Sequence, residues 1–225
     1  RSSRALRQLK ELQDEEGAWS WYKGMKGSRY MTTQVMELLA RLQMLTGKPL
    51  EEAEAMKLYT NGMAYLAKEA EKEYDILKKL DKEGKKPLIP SEQVLHYLYI
   101  CALNGTGKGD EAKVNRYFID RLVKLENAGA LTIYGKACSA VILQLAGEEN
   151  KAKEVLQSLM EYSVYTDEMG RYFDTPRAEY SWKSYRIPTQ VAAIEAISRI
   201  AKEEKTIEEL KRWLLQQKRT QDWES

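Results

Sequence analysis

One histidine and two cysteines set the limits on catalysis in this sequence of 225 residues. Any Ser-His-Asp or Cys-His arrangement would have to use His96, because the nucleophile needs an imidazole to take its proton. His96 lies in Val94-Leu95-His96-Tyr97-Leu98, with no serine or cysteine placed to pair with it, so a structural role is the expectation. Cys101 and Cys138 lie in apolar helical stretches, where a thiol acts as a small hydrophobe. Neither is followed by x-Glu-Gln, the spacing at which a cysteine bonds to a glutamine side chain as an internal thioester. These residues lack zinc-ligand spacing, so the expected complement of metals and cofactors is none. The carboxylates Asp167, Glu168, Asp174 and Glu179 lie among aromatic residues. Paired carboxylates in an aromatic cleft are what glycoside cleavage uses, which keeps a carbohydrate enzyme as an alternative. No DxDD or DDxxD motif occurs, which argues against a terpenoid cyclase.

The most unusual segments are two aromatic connections, roughly 14–31 and 165–187. The first carries Trp19, Trp21, Tyr22 and Tyr30; the second carries Tyr165, Tyr172, Phe173, Tyr180, Trp182 and Tyr185. Both lead into presumed inner helices, so they are expected to share one rim. Packing within the chain is one reading. A docking or shielding face built from Trp21, Tyr22, Tyr30, Trp182 and Tyr185 is the other, because clustered Trp and Tyr suit interfaces.

The elements that must position these residues read as helices. Apolar residues make up 43% and charged residues 31%, with five prolines and 13 glycines, a composition that allows a core and favours helix. Met56, Tyr59, Met63, Leu66, Ala70, Tyr74, Leu77 and Leu80 fall at steps of three and four on one helical face. Ile187, Val191, Ile194, Ile197 and Ala201 form a second stripe; Leu210, Trp213, Leu214 and Gln217 form a third. Helices are expected over 2–13, 32–46, 51–83, 90–104, 109–127, 131–146, 148–164, 188–202 and 206–219. Thr206 and Glu209 have capping-box spacing, and strand signals are nearly absent. Formal charge is +2, and no basic run suits a nucleic-acid backbone. No apolar run approaches the roughly eighteen residues of a membrane span. The chain begins at Arg1 rather than Met and is read as an excised piece of something longer.

A repeat runs through the helices. Thr33-Gln34-Val35, Ser91-Glu92-Gln93-Val94 and Thr189-Gln190-Val191 recur at expected helix starts, two of them after Ile-Pro. Pro90 and Pro188 are therefore placed in or before first helical turns. Helix ends rich in Gln run into Trp at Gln13…Gly17-Ala18-Trp19 and at Gln216-Gln217…Trp223. In Gln13-x3-Gly17-x-Trp19 the amide is expected to tie a helix end while the indole packs on the next pair. The fold class is all-α, with alternating inner and outer helices forming an incomplete α/α toroid or, alternatively, an open solenoid. The stretch 137–143 and the 188–202 helix are the expected inner members; the Lys- and Glu-rich 51–83 and 148–164 are the expected outer ones. Residues 1–225 are read as one helical domain.

Four segments carry a family resemblance: Leu9 to Gln34; Ser91 to Tyr99; Asp167 to Tyr172 with Tyr180-Ser181-Trp182 and Ile187 to Ala196; and Arg212 to Trp223. Together they resemble the thioester-type helical domain of the α2-macroglobulins, and the large bacterial members most. The resemblance covers essentially the whole chain. It implies an α/α toroid, and a non-enzymatic scaffold role in a protein that traps proteases and acylates them through a thioester. The partners it implies are other domains of the same large protein and, indirectly, target proteases. The location it implies is the periplasm or cell envelope. Two features depart from the family: Cys-x-Glu-Gln is absent, and the loop 18–31 lacks the histidine that complement-type relatives use. The alternatives are an α/α-barrel enzyme acting on polysaccharide or terpenoid, and an open helical-repeat interaction module.

Overall fold

The computed structural model describes residues 2–46, 53–84, 89–173 and 179–224. Among them the chain is mostly helical, as the periodicity predicts. It divides into two compact units, Arg1–Phe118 and Ile119–Ser225. The first holds α1 (Ser2–Leu12), α2 (Arg29–Thr46), α3 (Ala53–Lys82) and α4 (Glu92–Asn104). Helix α5 (Ala112–Val123) carries the chain into the second. There a 3₁₀ turn (Ala128–Ala130) precedes α6 (Ile133–Leu145), α7 (Glu149–Met160), strands β1 (Ser163–Thr166) and β2 (Gly170–Phe173), α8 (Glu179–Ile200) and α9 (Glu204–Glu224).

In the first unit α2 packs on both α3 and α4. The stripe predicted on α3 is the buried one at Tyr59, Leu66, Ala70 and Leu77, although Met56 lies exposed. Helix α4 has buried residues on all sides, from Val94 to Leu103, in keeping with its apolar sequence. Ser91 caps it by accepting from Val94 N–H at 3.2 Å, and the Glu73 carboxylate on α3 holds Ser91 through its N–H and hydroxyl at 3.1 and 2.5 Å. The same carboxylate meets Arg29, the first residue of α2, at 3.3 Å. One acidic side chain thus fixes the starts of two helices.

In the second unit α6 is the most buried helix, with every residue from Tyr134 to Leu143 inside. It packs on α7 and α8. Of the predicted α8 stripe only Ile197 is buried: Ile187 and Ala201 are exposed and Val191 and Ile194 half-buried, while Ala192, Ala193 and Ala196 are covered beside Ile197. Small residues let helix backbones approach closely, and α6 answers with Ala137, Cys138 and Ala140. Residue size, rather than hydropathy, decided which face turned inward.

Four further expectations are corrected. The stretch read as strand-free forms an antiparallel hairpin, pairing Ser163 with Phe173 and Thr166 with Gly170. Val164, Tyr165, Tyr172 and Phe173 suit strands, and Gly170 supplies the left-handed turn residue at φ 81°. The connection expected to reach residue 187 ends sooner, because α8 begins at Glu179 and Pro188 lies inside it rather than in its first turn. Thr33 likewise lies inside α2 and Thr189 inside α8; of the three recurrent motifs only Ser91 marks a helix start. Thr206 does not form a capping box. The helix starts two residues earlier than expected, at Glu204, which puts Thr206 inside it; the Thr206 hydroxyl donates to Glu203, and Glu209 takes the Arg171 guanidinium at 2.8 Å.

Both units use one device to fix a loop on a helix. In the first, Gly17 (φ 91°) lies so close to α3 that a Cβ there would stand 2.2 Å from the Asn61 carbonyl oxygen. The Gln13 amide donates to Gly17 O at 3.0 Å and to Leu58 O of α3 at 3.1 Å. In the second, a Cβ on Gly170 would stand 2.5 Å from Glu209 O of α9. Here the Gln190 amide donates to Arg171 O at 2.7 Å and to Leu210 O at 3.0 Å. A left-handed glycine against a helix carbonyl, bridged by a glutamine, recurs although the glutamines come from different places in sequence.

Candidate functional site

The loop from Gln13 to Arg29 is anchored at its base and open at its tip. Asp14 Oδ1 accepts from Glu16 and Ala18 N–H, both at 2.9 Å, which closes the turn after α1. Trp19 is buried. Its indole N–H donates to Leu9 O at 2.9 Å and its main-chain N–H to the Thr32 hydroxyl at 3.0 Å. The ring lies over Gly62, where a Cβ would come within 3.0 Å of it. The stapling role expected of Gln13, Gly17 and Trp19 is thus their geometry. Ser28 N–H donates to Trp19 O at 2.7 Å and closes residues 20–27 into a protrusion.

That protrusion presents large apolar side chains to solvent: Trp21 is 62% exposed, Tyr22 73% and Met25 53%. Trp21 stacks on the half-buried Tyr30 of α2, with ring centroids 6.1 Å apart and planes 18° from parallel. Lys23 and Lys26 interleave with these residues. Three of the five residues proposed from sequence, Trp21, Tyr22 and Tyr30, therefore form one surface feature. The other two, Trp182 and Tyr185, lie outside the described side chains, and they belong to the second unit. Met25 joins the exposed set, which a count of aromatics alone passes over.

His96 is not solitary. Its Nε2 lies 2.9 Å from Glu37 Oε2, Arg41 donates to Glu37 Oε1 at 3.1 Å, and Arg41 donates to the Tyr99 hydroxyl at 2.7 Å. Glu37 and Arg41 come from α2, His96 and Tyr99 from α4. Burial pushes the Glu37 carboxyl up, the largest single influence, but the hydrogen bond and charge of His96, followed by Arg41, hold it below the usual carboxylate range. A carboxylate orienting an imidazole is half of a general-base arrangement. Here both side chains are buried, so the group ties α2 to α4. Sequence reading missed the pair because Glu37 precedes His96 by 59 residues, with no local signal.

The remaining candidates fall into place. Cys101 and Cys138 are buried and not joined in a disulfide; burial pushes Cys101 up to about 11, an effect partly offset by Tyr97 and Thr106, and so keeps it a thiol. A cavity of about 270 Å³ lies beside Cys101. Asp167 and Glu168 are exposed at the hairpin turn, where Asp167 accepts from Tyr165 at 3.0 Å. Asp174 lies outside the described residues, as does the side chain of Glu179. A residue that sequence reading passed over is Lys136, only 2% exposed, its ammonium 4.2 Å from the Tyr162 ring centroid. Burial lowers its affinity for a proton, and Glu161 works in the opposite direction.

Among the described residues no helix is long and apolar enough to cross a membrane. No family model matches this chain, and a search of the curated proteins finds no match.

Proposed function

We propose that this chain is a non-enzymatic helical scaffold that docks another domain of a longer polypeptide through the protrusion at residues 20–27. The longer polypeptide is of the bacterial α2-macroglobulin-like, protease-trapping kind that the sequence resembles, placed in the periplasm or cell envelope. The observation that carries the reading is the exposure of Trp21 and Tyr22 on a loop whose base is fixed by Gln13, Asp14, Gly17 and Trp19. Large rings left in water cost free energy unless something covers them, and Trp and Tyr are favoured where one edge stays wet. The glycine-and-glutamine device, present in both units, supports a repeated helix-pair architecture of the toroid type.

The test is amide hydrogen exchange across residues 20–27, in the 225-residue chain and in the full polypeptide that carries it. Slower exchange in the full polypeptide, lost on Trp21→Ser with Tyr22→Ser, is expected. Equal exchange in both refutes docking. Polysaccharide turnover abolished by Asp167→Asn refutes the scaffold reading.

A further inference from the structure

A cavity of about 530 Å³ opens in the second unit between α7, the hairpin, the end of α8 and the start of α9. Its volume falls in the range of small-molecule sites. Leu156 and Met160 of α7 and Ile197 and Ile200 of α8 make an apolar floor. Lys153, Arg171 and Glu203 are the charged groups around it.

Arg171 is set for recognition on this side. Its Nε donates to Glu209 at 2.8 Å, its Nη1 donates to the Ser163 hydroxyl at 2.9 Å, and its guanidinium lies 5.6 Å from the centroid of the Tyr165 ring. Three contacts fix the plane and leave Nη2 without a hydrogen bond among the described residues. Glu209 grips the Nε side and is not part of the lining. Lys153 is exposed and makes no ion pair among the described residues. Glu203, the one acid of the lining, accepts from the Thr206 hydroxyl at 3.1 Å. Two cations and one acid line the cavity beside its aliphatic floor, and Glu209 just outside the lining already balances Arg171, which leaves Lys153 as the cation without an ion pair among the described residues. The turn that shapes one wall also holds a lysine, Lys202, at φ 53°, where helix ends commonly place glycine. Non-glycine residues in that region persist only when their surroundings hold them there.

We propose that this cavity binds an aliphatic carboxylate, its hydrocarbon on Leu156, Met160, Ile197 and Ile200 and its head group between Arg171 Nη2 and Lys153. An oriented guanidinium with Nη2 still able to donate favours a carboxylate over a neutral head group. Such an acid reaches the site either as a free fatty acid or as the C-terminus of a peptide ending in an aliphatic residue.

The experiment is a methyl NMR titration of the full 225-residue chain, reading Met160, Ile197 and Ile200, with octanoate, N-acetyl-leucine and octan-1-ol as probes. Saturable shifts with either carboxylate, and binding of octan-1-ol weaker by about tenfold or more, are expected from one charge-assisted contact. Tighter binding of octanoate identifies the free-acid source; tighter binding of N-acetyl-leucine identifies the peptide terminus. Arg171 also anchors the hairpin, so the charge is removed at the exposed Lys153. Lys153→Gln should weaken the carboxylates about tenfold and leave octan-1-ol unchanged. Ile200→Trp, which fills the floor, should abolish all three. Absence of saturable shifts with both carboxylates, equal binding of acid and alcohol, or an unaffected Lys153→Gln variant would each overturn the assignment.

Discussion

Replacing Trp19 and Trp213 by alanine in separate chains puts numbers on the packing of each unit. Both indoles are buried, 2% and 1% exposed. Truncating a buried tryptophan costs about 3–5 kcal/mol through lost transfer energy and the cavity left behind. The polar edges then separate the two sites. Trp19 Nε1 donates to Leu9 O, so its loss adds about 1 kcal/mol and strands a carbonyl. Trp213 Nε1 is buried with no hydrogen-bond partner among the described residues. Removing it relieves a desolvation cost of about 1–3 kcal/mol. Loss of the contact between the ring and the Arg186 guanidinium, 5.3 Å from its centroid, offsets part of that relief by about 0.5–2 kcal/mol. Trp213→Ala is therefore expected near 3 kcal/mol and Trp19→Ala near about 5 kcal/mol. Urea unfolding gives the totals from midpoint and slope, and hydrogen exchange assigns each loss to its unit. A Trp213→Ala cost below about 1 kcal/mol, or one exceeding that of Trp19→Ala, would refute the packing argument.

Gly17→Ala and Gly170→Ala each force a Cβ into a helix carbonyl at a positive φ, so each should destabilise by more than about 2 kcal/mol in urea unfolding. A small cost at either site would mean that loop and helix separate freely there. Lys202→Gly relieves a left-handed φ of 53° and should raise stability by up to about 1 kcal/mol; a loss would mean the lysine side chain holds the turn. Glu37 is lowered from its ordinary value of 4.5, so its ionised form favours the folded state above that pH and loses this contribution as pH falls through the lower folded value. Urea midpoints of the parent chain should therefore drop between about pH 5 and pH 3 more steeply than those of Glu37→Gln, and parallel curves would contradict the pairing with His96.

Helices were legible wherever hydropathy had one period. The α3 stripe and the buried 137–143 segment follow directly from residue spacing. Sequence reading failed where two signals competed. On α8 the isoleucine stripe and the alanines mark neighbouring faces, and close packing on α6 buried Ala192, Ala193 and Ala196 together with Ile197 alone from the stripe. At Thr206 and Glu209 the local capping pattern misplaced the helix start, which is Glu204, and Glu209 pairs instead with Arg171, 38 residues before it in sequence. The hairpin was missed because two four-residue strands give too short an alternation to stand out beside long helices. At the candidate site, the exposed aromatics were legible as a cluster, whereas the Glu37–His96 pair and the Arg171 cavity are products of tertiary contact.

The anchoring of loop 13–29 bears on how strongly its tip can bind. A free loop carrying two exposed rings loses rotamer and backbone freedom when it docks, and that loss subtracts from affinity. Here Asp14, Gly17, Trp19 and Ser28 already hold the backbone at the base, and Tyr30 stacks on Trp21. Much of the ordering is completed when the first unit folds. The Trp21 ring is aimed before any partner arrives, whereas Tyr22, the more exposed ring, remains to be ordered on contact. Loosening the base should therefore weaken docking without touching a contact residue. Gln13→Ala removes the two donors to Gly17 O and Leu58 O and leaves Trp21, Tyr22 and Met25 in place. In the full polypeptide it should speed exchange at residues 20–27 toward the rate of the isolated chain. If Gln13→Ala leaves that protection intact while Trp21→Ser removes it, the rings dock by direct contact alone and the rigid base serves only the stability of the first unit.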